Sequence, residues 1–229
     1  MSFLQLQSAF GLAVLVAMAW ALSENRRAAL NVRLIAVGIG LQIAVALLLL
    51  EVPLARDALY SLNGVVDALT KATEAGSSFV FGYVGGGAAP FEVTKLQNGF
   101  SLAFQALPLV LVISALSALL WHWRVLPVIV RGFAYVLQKT LSIGGAVGLG
   151  SASTVFLGMI EAPLLIRPYL AKLTRAELFM LFSVGMSTVA GTVMVLYASI
   201  LEPKVPGALG HILVASFVSL PAAILTARL

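Results

Sequence analysis

Five apolar runs recur along the chain, at residues 3–22, 34–50, 102–121, 178–200 and 212–227, almost free of charge. A helix rises about 1.5 Å per residue, so about 20 residues cross a hydrocarbon core of about 30 Å. Two of the runs are a little short, and flanking residues complete them. The pattern predicts an all-α, polytopic membrane protein with five spanning helices. Between the second and third runs the period changes. Leu54, Leu59, Leu62, Val65, Val66 and Leu69 return at helical spacing, with Arg56, Asp57, Asp67 and Lys71 between them. That pattern predicts an amphipathic helix lying at the membrane interface. A shorter one is predicted over residues 127–137, running into Lys139. Gly82, Gly85, Gly86 and Gly87, followed by Pro90, mark a loop. Trp121, His122, Trp123 and Arg124 close the third run, as a water–lipid boundary favours.

Residues 142–170 break the pattern. Five glycines (Gly144, Gly145, Gly148, Gly150 and Gly158) and the small residues Ala146, Ser151, Ala152 and Ser153 let backbones approach closely, and charge is absent until Glu161. The segment reads as a re-entrant helical hairpin, two short arms with a non-helical tip at bilayer depth. Such backbone is tolerated only when buried in protein or lining a wet cavity. Glu161 then calls for an explanation, because an acid within a membrane segment costs at least about 2.5–3.5 kcal/mol on insertion scales and normally faces a cavity or a partner.

Composition agrees. Hydrophobic residues make up 61% of the chain and charged residues 10%, against about 25% charged in a soluble domain. The basic balance, 14 Lys+Arg against 9 Asp+Glu, forms no stripe suited to nucleic acid. It follows topology instead. With loop 23–33 in the cytoplasm and the hairpin returning to its own side, that side holds Arg26, Arg27, Arg33, Arg124, Arg131, Lys139, Arg167, Lys172, Arg175 and Arg228. The other side holds Arg56, Lys71, Lys95 and Lys204. A hairpin that crossed fully would reverse every later loop. The first run lacks a basic leader region and reads as a retained helix. There is no cysteine, no metal-spaced cluster and no phosphate-cradling loop after a strand, so an enzyme or a metal site has little support.

Several blocks in order carry a more specific signal. They are Gly76–Gly82, Phe104–Pro108, Gly158–Leu170, Leu173–Phe179, Gly185–Gly191 and Tyr197–Ser199. Through them the chain resembles the N-terminal half of the concentrative nucleoside transporter family. The resemblance implies a homotrimer in the bilayer, multi-pass, in a bacterial inner (plasma) membrane. Each protomer would move a nucleoside with sodium or protons through two inverted repeats, each a hairpin with a broken helix. Residues 1–141 would then be a scaffold region with three spanning helices and interfacial helices. Residues 142–229 would be a transport region with the hairpin and two spanning helices. The second repeat has no counterpart here, which implies a missing C-terminal half or second subunit.

In the family the hairpin tip carries a Gly-Gln-Thr-Glu-type motif that hydrogen-bonds the nucleobase. Here it reads Gly158-Met159-Ile160-Glu161. These four residues, with Val193, are the expected substrate contacts. The family's sodium-site asparagine falls on Thr154, and its neighbours on Leu157, Thr188 and Val189; with Glu161 these are the expected ion-coupling residues. Other readings stay open. Met159 and Ile160 could fill protein interior, Glu161 could cap a helix or pair with Arg167, and threonine hydroxyls often bond their own helix. Gln105 reads as a helix–helix hydrogen bond. Desolvation at Glu161 favours a proton over sodium as the coupling ion. The alternatives are a non-transporting membrane subunit, or a symporter for another small polar metabolite.

Overall fold

The structure is a computed structural model that describes residues 3–24, 26, 31–92, 100–201 and 204–229. Arg27 and Lys95, two of the bases in the charge asymmetry, lie outside the described residues. Every regular element among those described is helical. The first two are α1 (Phe3–Leu22) and α2 (Val32–Glu51). Asn31 caps α2 by accepting the Leu34 N–H at 3.2 Å, which satisfies one of the donors a helix start leaves over.

Proline separates the second helix from the third. Pro53 disfavours helix at the residue before it, so Val52 is extended (φ −77°, ψ 117°) and divides α2 from α3 (Pro53–Phe81). Helix α3 outruns the predicted amphipathic stretch. It takes in Gly76, Ser77 and Ser78 and reaches 29 residues, about 44 Å. Gly82 stops it with φ 61°, its N–H returning to the Ser78 carbonyl. The next turn doubles back so tightly that a Cβ on Gly85 would sit 2.1 Å from the Ser77 carbonyl oxygen. Only glycine fits there.

A π-turn at Leu102–Ala106 leads into α4 (Leu107–His122). Pro108 has no N–H to give the Phe104 carbonyl, and the turn before it widens. Gln105, read as a helix–helix hydrogen bond, joins this turn to the 3-10 turn Gly82–Gly85. Its Nε2 donates to the Val84 carbonyl at 3.1 Å, tying this turn to the glycine loop. Helix α5 (Val125–Leu141) buries Leu126, Val130, Ala134, Leu137 and Leu141, the single face its pattern predicts.

Then come α6 (Gly145–Leu157), α7 (Glu161–Leu165) and α8 (Arg167–Leu170). The predicted second arm is thus two short pieces, parted at Ile166. The apolar run predicted as one span at 178–200 is also divided, into α9 (Arg175–Ser187) and α10 (Gly191–Leu201). A capping box, Thr174 with Glu177, opens α9. Helix α11 (Ala208–Arg228) completes the set.

Among the described residues four stretches are long and apolar enough to cross a membrane: Val32–Glu51, Leu102–His122, Arg175–Leu201 and Ala208–Arg228. The protein is an integral, multi-pass, all-helical membrane protein. Its core lies where α11 meets α2, α6 and α9. Side chains there pack by close approach, since lipid supplies no hydrophobic drive between helices. A Cβ on Gly38 would come 3.0 Å from Leu225, and Phe133 stacks on Phe217 with centroids 4.7 Å apart.

Candidate functional site

Helix α6 buries eight residues: Val147, Gly148, Gly150, Ser151, Ala152, Ser153, Thr154 and Val155. It ends because Gly158 takes φ 91°, ψ 174°, a region that side-chain-bearing residues avoid. The Gly158 N–H returns to the Thr154 carbonyl at 3.0 Å, and its own carbonyl accepts the Ala162 N–H at 3.1 Å to begin α7. The chain then folds back. Ile166, fully buried, reaches within 3.0 Å of where a Gly150 Cβ would be. Start and finish also meet, since Glu177 Oε1 lies 3.0 Å from the Cβ position of Gly144. The segment therefore folds back on itself as a helical hairpin.

The gap between α9 and α10 docks on its tip. A Cβ on Gly191 would lie 2.9 Å from the Phe156 carbonyl oxygen, one on Gly158 2.9 Å from the Ala190 Cβ, and one on Gly185 3.0 Å from the Met159 Cβ. The hairpin tip and the break between α9 and α10 therefore meet. Thr154, Leu157, Thr188 and Val189 flank this contact. The carbonyl ends of α6 and α9 carry partial negative charge, and the starts of α7 and α10 partial positive charge. One contact thus offers dipole ends of both signs to a ligand.

The hydroxyls turn inward. Thr154 Oγ1, buried, donates to the Ser151 carbonyl at 2.7 Å, and Thr188 Oγ1 to the Val184 carbonyl at 3.2 Å. Their protons go to their own helices, and their oxygen lone pairs stay available. Ser151 was not singled out from the sequence. Its hydroxyl is buried with no hydrogen-bond partner among the described residues, three residues before Thr154. The run Ser151-Ala152-Ser153-Thr154 in a charge-free, glycine-rich helix was the signal that could have found it.

Met159 and Ile160 are exposed, at 54% and 70%, so they do not fill this chain's interior. Glu161 is exposed and opens α7, with Oε2 3.0 Å from the Cβ position of Gly158. It is not the cap residue of that helix. It does not pair with Arg167; the one ion pair among the described residues is the exposed Arg175–Glu24 contact at 3.9 Å. Val193 lies on α10, two residues past Gly191, and is partly exposed. Among the described residues no group of acids and histidines could hold a metal.

The comparisons with known proteins bear on this geometry. Residues 10–84 match the family described as Na+ dependent nucleoside transporter N-terminus, and residues 103–204 match one described as nucleoside recognition. The chain belongs to the concentrative nucleoside transporter family. Among this family's members, nucleoside permease NupC of Helicobacter pylori is 33% identical over 100% of this chain and 53% of its own length. Human solute carrier family 28 member 3 is 32% identical over 84% of this chain and 25% of its own length. The solved structure of CNTnw in an inward-facing substrate-bound state superposes with a TM-score of 0.81 at 32% identity, over 97% of this chain and 52% of that one. The chain spans about half the length of the bacterial relative it matches. These relatives are named for transport.

Proposed function

We propose that the complete protein is a nucleoside–cation symporter whose site is completed around the α6–α7 tip. The observation that carries this reading is the exposed Glu161 carboxylate where the hairpin tip meets the break between α9 and α10. An acid left open in an apolar segment needs a polar ligand or a proton. Gly158, Met159, Ile160, Glu161 and Val193 would face the substrate. Thr154, Leu157, Thr188 and Val189, with Glu161, would serve the coupling ion. Met159 and Ile160 give an apolar surface for a nucleobase where glutamine and threonine would give hydrogen bonds.

On this reading residues 1–141 are a scaffold region and residues 142–229 a transport region, with the hairpin re-entrant and five helices spanning the bilayer. The assembly is a homotrimer in a bacterial inner membrane, completed by a second repeat or a partner subunit. The coupling ion is a proton. Thr154 is a shorter ligand than an asparagine, and its hydroxyl proton is committed to the Ser151 carbonyl, whereas Glu161 is a carboxyl able to take up and release a proton.

Proteoliposomes of the complete transporter test this directly. An inward proton gradient without sodium should drive uptake of a labelled nucleoside, and a protonophore should collapse it. Accumulation that requires sodium and ignores the protonophore overturns the ion assignment. No uptake of any nucleoside under either gradient overturns the function.

A further inference from the structure

At the base of the hairpin, about 20 Å of α6 away from its tip, a second cavity opens where α2 begins and α5 and α11 end. Its volume is about 340 Å³, and Asn31, Arg33, Lys139, Thr140, Ser142 and Arg228 contribute its polar lining. The close approach of Gly38 to Leu225 sets α2 antiparallel to α11, which brings Arg33, near the start of one, to Arg228, near the end of the other. Arg228 Nη1 donates to the Leu141 carbonyl and so fixes the end of α5 beside them.

Three positive charges converge here, and among the described residues no acid lines the cavity. None of the three bases makes an ion pair among the described residues. The Lys139 ammonium stands over the Tyr135 ring, 5.7 Å from its centroid, a cation–π contact that leaves its net charge in place. Glu177, in an adjoining cavity that shares Ser142 and Arg228, is held in the capping box by the Thr174 N–H at 2.9 Å and hydroxyl at 3.0 Å. The remaining lining includes Leu34 and Val37. Helices α2 and α11 are both long and apolar enough to span, so their ends stand at headgroup level.

We propose that this cavity binds the phosphate of an anionic phospholipid headgroup, with Arg33, Lys139 and Arg228 as its partners. A guanidinium offers five donors, and Arg228 gives one to Leu141, leaving others for phosphate oxygens. The apolar wall accommodates the glycerol and the first acyl carbons. Basic pockets between spanning helices recognise anionic headgroups in this way.

The test is lipid retention on the complete transporter, delipidated in neutral detergent and examined by native mass spectrometry. Phosphatidylglycerol, phosphatidylcholine and inorganic phosphate are the probes. Phosphatidylglycerol should be retained over phosphatidylcholine. Arg33→Gln and Lys139→Gln should each weaken that retention about fivefold, while Arg131→Gln, an exposed base of α5 outside the cavity, should not. Equal retention of the two lipids, or equal loss in all three variants, overturns the proposal. Inorganic phosphate that binds and depends on Arg33 and Lys139, with no preference between the lipids, assigns the cavity to a free anion and overturns the lipid assignment.

Discussion

The two arms of the hairpin differ sharply in what surrounds them. The first, α6, buries eight of its 13 residues and carries no charge. The second, α7 with α8, buries only Ala162 and Ile166 and exposes Glu161, Leu164 and Arg167. One arm is a strut locked among α5, α9 and α11; the other presents a face. The difference separates residues that position the tip from residues that remain open to a ligand. Small side chains belong to the first group and the acid to the second.

Substitutions can break or sharpen this contrast. The largest structural effect is expected for Gly191→Val, which puts a branched Cβ 2.9 Å from the Phe156 backbone oxygen. Overpacking against backbone should cost about 3 kcal/mol, seen as a lower unfolding midpoint together with lost uptake. An unchanged midpoint would mean that the two interruptions are not pressed together. Next is Gly158→Ala. Its φ of 91° should cost about 2 kcal/mol of strain, with uptake falling alongside stability. Thr154→Val removes one intrahelical hydrogen bond from the buried arm. It should cost about 0.6 kcal/mol of stability and lower gradient-driven uptake, because it removes an oxygen assigned to the coupling ion. Unchanged uptake at normal stability would leave Thr154 a positioning role alone.

The smallest effect on stability should come from the exposed turn. Met159→Gln with Ile160→Thr should stay within about 0.5 kcal/mol of the parent, yet change the ranking of purine and pyrimidine nucleosides, because buried polar pairing discriminates strongly. An unchanged ranking would place these side chains away from the base.

The contrast was partly legible in the sequence. Glycine density over residues 142–158 and the distribution of bases predict a re-entrant hairpin, and the chain does fold back there, with Ile166 against Gly150. The division of the second arm at Ile166 could have been read from Pro168, which unsettles helix just before it. The interruption between α9 and α10 could not. Ser187-Thr188-Val189-Ala190 holds no proline and no charge, and Gly191 alone hints that backbone comes close. What accompanies that break is tertiary contact with the tip, which local propensity does not encode. The same holds for α3, whose amphipathic pattern is read only as far as Lys71, yet the helix continues through Gly76, Ser77 and Ser78 to Phe81. Apolar runs located the candidate spans because bilayer thickness sets their length. Ser151 read only as a small residue, because an unpartnered hydroxyl is a fact of packing.

The most direct test of the open acid is Glu161→Gln in the complete transporter, with labelled nucleoside accumulation followed in proteoliposomes. The substitution keeps size and removes charge on an exposed side chain, so the unfolding midpoint should stay unchanged while the inside-to-outside ratio falls to equilibration. Wild-type accumulation by the Gln variant would contradict the assignment of Glu161 as the centre of the site.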